Sequence, residues 1–366
     1  MRHLIVPSVD TQHWFNIVKS NNWVELGIGI LTMDDGMKAI PLNSNAPDNT
    51  ATIWQKHSFR VIPRDAKSLN HWTDLIDRTL YHALEDFWPK SHEVIGDVLI
   101  VKLEDQVIQH KEQIGAAMLK RMPNIRLICA DNGVEGKFRV RSLEPIVSRD
   151  ASVSTLTKIR EHGQEILVDP TKSYFSARLS TERNRTLVAA KSLANELGRT
   201  ITVCDPYAGV GPALAGLLTE PGLIDAAFVG DLNPLAVDLL KQNVSRFVRK
   251  KNSELELEIR CQDARKWQHD ENNNNRMDLL LVNLPHETIN HLTDLLPLMR
   301  RNNLSLIRGW AIIDKGDLAA VSRKLEQLFA DHGAEDHRLS CEEIKGFSAT
   351  KSYIRIESWQ TFGKSV

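Results

Sequence analysis

The chain has 366 residues, 42% hydrophobic and 25% charged, with a formal net charge of -1. That length argues for two or three domains with cores of their own, and near-neutrality excludes a polycation that coats nucleic acid wholesale, so any RNA contact must come from local patches. Cys129, Cys204, Cys261 and Cys341 form no CxxC pair, which speaks against a zinc ribbon or a disulfide framework and for reduced thiols in a cytoplasmic protein.

The N-terminal "MRHLIVPSVDTQHW" carries one Arg and an apolar run broken by Pro7, unlike a secretory or transit leader. No apolar stretch reaches the roughly 20 residues needed to span a bilayer, so no membrane contact is expected. Residues 1 to 43 alternate "HLIVP", "GIGILTM" and "MKAIPL" with a helical "DTQHWFNIVKSNNW", a small α/β unit. After the loop "NSNAPDNT", residues 69–88 show helical spacing up to Pro89. A second unit follows: a strand over 93–103, a helix "QHKEQIGAAMLKRM", a strand "IRLICA", a Gly-rich basic turn over 131–146, and further strand in "EILVDPTKSYFSARLS". From Thr181 onward helices and strands alternate, and two strands close the chain without a helix between them. Alternating βα units imply a doubly wound parallel sheet, and the closing pair an antiparallel hairpin at its edge. The expected class is α/β, a seven-stranded Rossmann-like methyltransferase domain preceded by two smaller α/β domains. The expected boundaries are 1–75, 76–165 and 166–366.

"VCDPYAGVGP" puts Asp205 at a strand end, Gly209 and Gly211 in a tight turn, and Pro212 at the first position of a helix. Glycines there let a ligand approach the backbone. Leu214 stands where a dinucleotide fingerprint needs a third Gly, which disfavours a pyrophosphate and suits S-adenosylmethionine. A plain strand-turn-helix corner would read the same. Asp231 in "VGDLNP" can accept both ribose hydroxyls or simply precede the helix cap Asn233. Asp263 in "CQDARKW" ends another strand and can face adenine. Asn283 and Pro285 of "VNLP" can offer a planar base an amide and fixed carbonyls, or merely stop a strand. "HETINH" spaces its histidines five apart, about 140° around a helix, so no metal is expected. Basic residues cluster at Lys120, Arg121 and Arg126, at Lys137, Arg139 and Arg141, and over 246–251. Each cluster alone reads as a solvated face, and together with a base-accepting site they can meet phosphates.

"EVIGDVLIVKL", "GVEGKFRVRSLE", "REHGQEILVDPTKSYFSARLSTER", "DPYAGVGP", "DLNPLAVDLLKQNV" and "VNLP", in that order, resemble the Rossmann-type tRNA (guanine-N1)-methyltransferases, which act on guanosine 37, 3′ of the anticodon, in support of reading-frame maintenance. The resemblance implies Glu182 as general base, with Arg141, or its neighbour Arg139, stabilising the guanine. It also implies Arg183, Asp231, Leu232, Asp263, Ala264 and Asn283 as contacts to the cofactor S-adenosylmethionine and the target base. tRNA is the implied partner, contacted in part by the N-terminal domain, and the implied state is a cytoplasmic monomer without an obligate protein partner. Two positions depart from the family pattern, Ala177 for Pro and Tyr207 for Phe. The competing readings are a wybutosine-pathway enzyme acting at the same tRNA position, and a catalytically silent tRNA-binding protein.

Overall fold

The structure, a computed structural model, describes residues 1–25, 28–33, 36–55, 57–63, 71–249 and 255–363. Gly27, Leu69, Asn70, Lys250 and Lys251, which fall in segments read above, lie outside the described residues. The chain forms two compact units, one of Met1–His92, Val101–Ala130 and Pro145–Ser152, the other of Glu93–Ile100, Asp131–Glu144 and Val153–Val366. Among the described residues no helix is long and apolar enough to cross a membrane.

The first unit opens with β1 (Arg2–Pro7), α1 (Thr11–Ser20), β2 (Leu31–Thr32), β3 (Met37–Pro41) and β4 (Ser58–Val61), in the sheet order β2-β3-β1-β4. α1 presents Trp14 and Val18 to Leu4, Val6, Ile40 and Trp54, which form one apolar cluster. The continuous helix expected over 69–88 does not form. Trp72–Leu75 is a 3-10 turn, and Ile76 is extended with ψ 145°. A new start follows, with the Asp77 side chain capping Leu80 N–H of α2 (Arg78–Ala83). The capped starts at His71 and Asp77 break one amphipathic stretch into two short pieces.

The stretch 93–103 is likewise two strands, β5 (Glu93–Ile95) and β6 (Val98–Val101), turned at Gly96. Gly96 has φ +60°, and a Cβ there would lie 2.2 Å from Thr157 Oγ1. Next come α3 (Lys111–Arg121), β7 (Leu127–Glu135) and β8 (Val140–Ser148), so the Gly-rich turn shrinks to four residues as the strands extend into it. β9 (Thr157–Glu161) and β10 (Gln164–Val168) form a hairpin. Strand does not continue from there to Ser180. Asp169 Oδ1 takes hydrogen bonds from Thr155 Oγ1 and from the amide and hydroxyl of Thr171, while its carbonyl takes the amides of Lys172 and Ser173. A buried carboxylate that gathers this many donors folds the chain into a turn.

The large sheet follows the expected alternation, with α7 an added helix between two strands read as successive: α4 (Ser180–Leu197), β11 (Ile201–Asp205), α5 (Pro212–Thr219), β12 (Ile224–Asp231), α6 (Pro234–Val248), β13 (Glu256–Cys261), β14 (Leu279–Val282), α7 (Thr288–Leu295), β15 (Leu304–Asp314), α8 (Leu318–Asp331), β16 (Ala334–Gly346) and β17 (Lys351–Phe362). Its order is β13-β12-β11-β14-β15-β17-β16. The pairs from β13 to β15 are parallel, and β17 pairs antiparallel with both β15 and β16. Every residue of β11 and β14 is buried, as strands covered on both faces require. One face packs Phe228, Leu280, Val282, Ile307 and Ile356 against Leu292 and Leu295 of α7 and Leu325 and Phe329 of α8. α5 packs against both α4 and α6.

Candidate methyl-transfer site

β11, β12, β14 and the start of α4 bring most of the expected residues to the carboxyl ends of the parallel strands, where open α/β sheets bind ligands. Leu179, Glu182, Arg183, Asp205, Tyr207, Ala208, Pro212, Asn283 and Trp310 line one cavity.

After Asp205 the chain turns through Gly209 (φ +57°) and Gly211 (φ +81°) into α5, with Pro212 at its first position. A Cβ on Gly211 would meet Leu240 Cδ1 at 2.7 Å, so the residue is fixed by packing as well as by φ. Asp231 receives Gly209 N–H on Oδ2 at 2.9 Å and Asn233 N–H on Oδ1 at 2.8 Å, which rigidly ties the two strand ends together. Burial nevertheless holds its carboxyl above the usual range. Asn233 caps α6 through Leu235 N–H, so both readings of "DLNP" hold at once. Asp205 is 3% exposed, and its Oδ1 has no partner among the described residues. Burial pushes its carboxyl up to about 7. An unpartnered buried acceptor is costly unless a ligand completes it. A cationic amino group suits it, a carboxylate with free lone pairs at Asp231 suits ribose hydroxyls, and the glycine turn admits a chain without phosphate. This donor set fits S-adenosylmethionine.

Leu232 is half exposed beside this turn, and Ala264 is buried. Asp263 does not face the cavity with a free carboxylate. It caps the turn Ala264–His269 through Arg265 N–H and holds the Arg265 guanidinium at 2.7 Å, which keeps its carboxyl below the usual range. In the acceptor turn, the fixed carbonyls expected to face a base are engaged already. Leu284 O accepts the amides of Glu287 and Thr288, and Pro285 O accepts that of Ile312, all at 2.8 Å. Asn283 is therefore the group of this turn left to meet a base.

Glu182 is 3% exposed in the first turn of α4. A 3-10 turn Ala177–Leu179 precedes the helix, Leu179 is the N-cap without a side-chain bond, and Ser180 Oγ lies 2.9 Å from His162 Nε2. Three guanidiniums surround the Glu182 carboxylate, those of Arg185 at 2.7 Å, Arg355 at 3.3 Å and Arg308 at 3.8 Å. Trp310 Nε1 donates to it at 3.4 Å. Arg308 is itself 1% exposed, and Glu357 holds its Nη1. Burial pulls its guanidinium below its ordinary value.

Arg183 lines the cavity, but its guanidinium is directed elsewhere. It binds Glu161 through two bonds of 2.6 and 2.5 Å, donates to Ser176 O, and lies over the Phe175 ring. Arg141 is not brought to Glu182. Asp131, at 2.9 Å, and Glu93 hold its side chain, and its amide donates to Pro170 O. Arg139 sits in the β7–β8 turn at φ +53°. His286 precedes α7, and His291 within it binds the Tyr207 hydroxyl.

Sequence reading missed Arg185, Arg308, Trp310 and Arg355 as neighbours of Glu182. "SLIRGWAIID" held a signal, because an Arg inside a strand buried on both faces needs an acid nearby. Arg355 gives no such signal, because β17 alternates its exposure.

Residues 73–150 match the TYW2 N-terminal domain, and residues 157–315 match the TRM5/TYW2 methyltransferase domain. The chain is 27% identical over 266 residues to the Pyrococcus abyssi tRNA (guanine(37)-N(1))-methyltransferase Trm5b, covering 67% of this chain and 73% of that protein. It is 34% identical over 155 residues to the Trm5b of Methanocaldococcus jannaschii, covering 42% of each. Over 237 residues it is 27% identical to the tRNA (guanine(37)-N(1))-methyltransferase of Neurospora crassa, 59% of this chain and 47% of that one. The matched stretch thus spans less than half of the last two. Among solved structures, Pyrococcus abyssi Trm5b superposes with a TM-score of 0.67 at 20% identity, covering 99% of this chain and 100% of that one, which shows a shared fold. All the residues lining the cavity lie within 157–315, the stretch that matches the TRM5/TYW2 methyltransferase domain.

Proposed function

We propose that this chain transfers a methyl group from S-adenosylmethionine to N1 of guanosine 37 in tRNA. One observation carries the reading: a buried carboxylate, Glu182, lines the same cavity as the strand-end acid Asp205 and the acceptor-turn amide Asn283. The relatives' names agree with it. Asp205, Gly209, Gly211, Asp231, Leu232, Ala264 and, once released from Arg265, Asp263 would hold S-adenosylmethionine, which when bound supplies an electrophilic methyl on a sulfonium centre.

Neutral guanine is a poor nucleophile at N1, because N1 carries a proton and its lone pair is conjugated into the ring. Glu182 takes that proton as the new bond forms. Negative charge then grows on O6, where a guanidinium donor stabilises the transition state more than the ground state. Arg141 is the residue assigned to this role, with Arg139 as its alternative. For Arg141 the role requires release from Asp131 and Glu93 when tRNA binds. Asn283 orients the base, with Pro285 bounding its site. Arg183 acts by fixing the Ser176 carbonyl ahead of Glu182, in addition to any cofactor contact. The protein works as a cytoplasmic monomer. Its residues 1–75 and 76–165 contact tRNA, and 166–366 carry out the transfer.

The test incubates the protein with S-adenosylmethionine and tRNA transcripts bearing G or A at position 37, followed by nucleoside analysis. 1-Methylguanosine from the G transcript alone is expected, and its absence overturns the reading. The TYW2-type match over 73–150 favours a second reading, aminocarboxypropyl transfer to, or methylation of, a tricyclic base at the same position. A product heavier than a methyl adduct, or one formed only on tRNA carrying the tricyclic base, would identify it. Binding of tRNA without any product would mark a silent binding protein.

A further inference from the structure

Tyr207 stands midway between Asp205 and Gly209, and its ring lines the cavity together with Asn283. Its hydroxyl lies 2.7 Å from Nδ1 of His291, with the two rings 5.9 Å apart and tilted by 44°. Burial holds the phenol well above its ordinary value and draws the imidazole below its own. Both groups are therefore neutral, and the imidazole tautomer decides which of the phenol oxygen and Nδ1 donates.

The partner's position is what gives this bond a consequence. His291 lies in the first turn of α7, which follows directly from Asn283-Leu284-Pro285. Leu284 O accepts the amides of Glu287 and Thr288, and His291 N–H donates to Glu287 O. Thr288 Oγ1 donates to Trp310 O at 2.7 Å, which anchors the same turn to β15. On the other side, Tyr207 belongs to the loop whose Gly209 amide is held by Asp231. A displacement of either loop is thus felt by the other through one half-buried bond.

We propose that Tyr207 and His291 form a strut that couples the cofactor loop to the acceptor turn, so that filling one side raises the affinity of the other. Both are positioning residues. The tRNA arm of this inference rests on the methyl-transfer reading. One neutral hydrogen bond of this kind sets the scale at about 2- to 10-fold in each affinity, and linkage makes the coupling reciprocal.

The experiment uses the full chain. Binding of S-adenosylhomocysteine is measured by calorimetry, and binding of a G37 transcript is measured with and without saturating S-adenosylhomocysteine. Tyr207→Phe keeps the ring and removes the hydroxyl, and His291→Ala removes its partner. His291→Asn puts a side-chain amide near the place of Nδ1. In Tyr207→Phe and His291→Ala, S-adenosylhomocysteine should bind about 2- to 10-fold more weakly, and the ratio of the two tRNA affinities should fall toward one. His291→Asn should recover both. A wild-type ratio of one, an unchanged ratio in Tyr207→Phe, or an Asn variant no better than Ala overturns the strut. Failure of the methyl-transfer reading shows separately, as absence of 1-methylguanosine. Even then, unchanged S-adenosylhomocysteine affinity in Tyr207→Phe sinks the strut.

Discussion

Glu182 and Asp205 are both buried acids, and their surroundings assign them opposite tasks. Glu182 sits among three guanidiniums and an indole N–H, so its negative charge is matched on several sides. Glu182→Gln keeps the shape and removes the proposed base. We expect kcat to fall by about 10²- to 10⁴-fold while S-adenosylhomocysteine affinity stays within about twofold. Leaving the arginines uncompensated should also cost on the order of 3 kcal/mol of stability. Unchanged turnover would remove Glu182 from the mechanism. Asp205 has no ion pair among the described residues, and burial, reinforced by Asp231 and opposed by the Tyr207 amide, pushes it up to about 7. Its folded value lies above the ordinary 3.8. Its contribution to stability is therefore complete below about pH 4 and is lost as pH rises through about 7. Asp205→Asn should lose this dependence, and at about pH 8 it should be more stable than wild type, on the order of a few kcal/mol. The same variant should bind S-adenosylhomocysteine more weakly. Parallel melting curves for the two proteins between about pH 5 and 8 would contradict this account. These burial-driven traits are not legible in a sequence: "VCDP" shows an acid at a strand end, but not that its oxygen lacks a partner.

Among the elements, those of the large sheet were legible because apolar runs such as "TVC", "AAFV" and "LLLV" are bounded by Gly, Pro and Asp, and each became a buried parallel strand. The segments misread, 69–88 and 169–179, are those in which side chains compete with the backbone for hydrogen bonds, through Asp77 and Asp169. The loop 269–276 holds the low-complexity run "NNNN", in which Asn273 is 1% exposed, donating to Trp267 O and accepting from Arg260. Asn243 is a stronger case of the same kind. It is fully buried in α6, its Oδ1 accepts Leu167 N–H at 2.8 Å, and its Nδ2 donates to Leu167 O and Val210 O at 2.9 Å. One side chain thereby joins the end of β10 to the cofactor turn. Asn243→Leu has similar volume but orphans the half-buried Leu167 amide and two carbonyls, which should cost about 2–4 kcal/mol, or roughly 5–10 °C in melting temperature for a unit of this size. Because Val210 lies between Gly209 and Gly211, S-adenosylhomocysteine should also stabilise the variant less than wild type. A shift below about 2 °C, with normal ligand stabilisation, would show that the turn holds without Asn243.

At the scale of the whole molecule, a net charge of -1 by itself excludes a blanket polycation, and the ion pairs narrow the remaining candidates. Of the basic residues picked out by clustering, Arg141 is taken by Asp131 and Glu93, and Arg246 by Glu165, which also holds Lys158. Clustering in sequence counts charges and cannot show which of them face an acid, so phosphate contacts are overestimated from sequence alone. A tRNA ligand on such a surface should be held by few phosphates and by shape and base contacts instead. Each phosphate neutralised contributes about -0.7 to -0.9 to the slope of log affinity against log salt. With about three to five such contacts the slope should be about -2 to -4 for the G37 transcript. The slope should become shallower by about one unit when Lys137 in the exposed β7–β8 turn is replaced by Ala, if that turn meets the backbone. Filter binding between about 50 and 300 mM KCl measures it. A slope steeper than about -8 would mean that the paired arginines are released wholesale on binding, and their ion pairs would then be a resting arrangement of the surface that tRNA exchanges for its own phosphates.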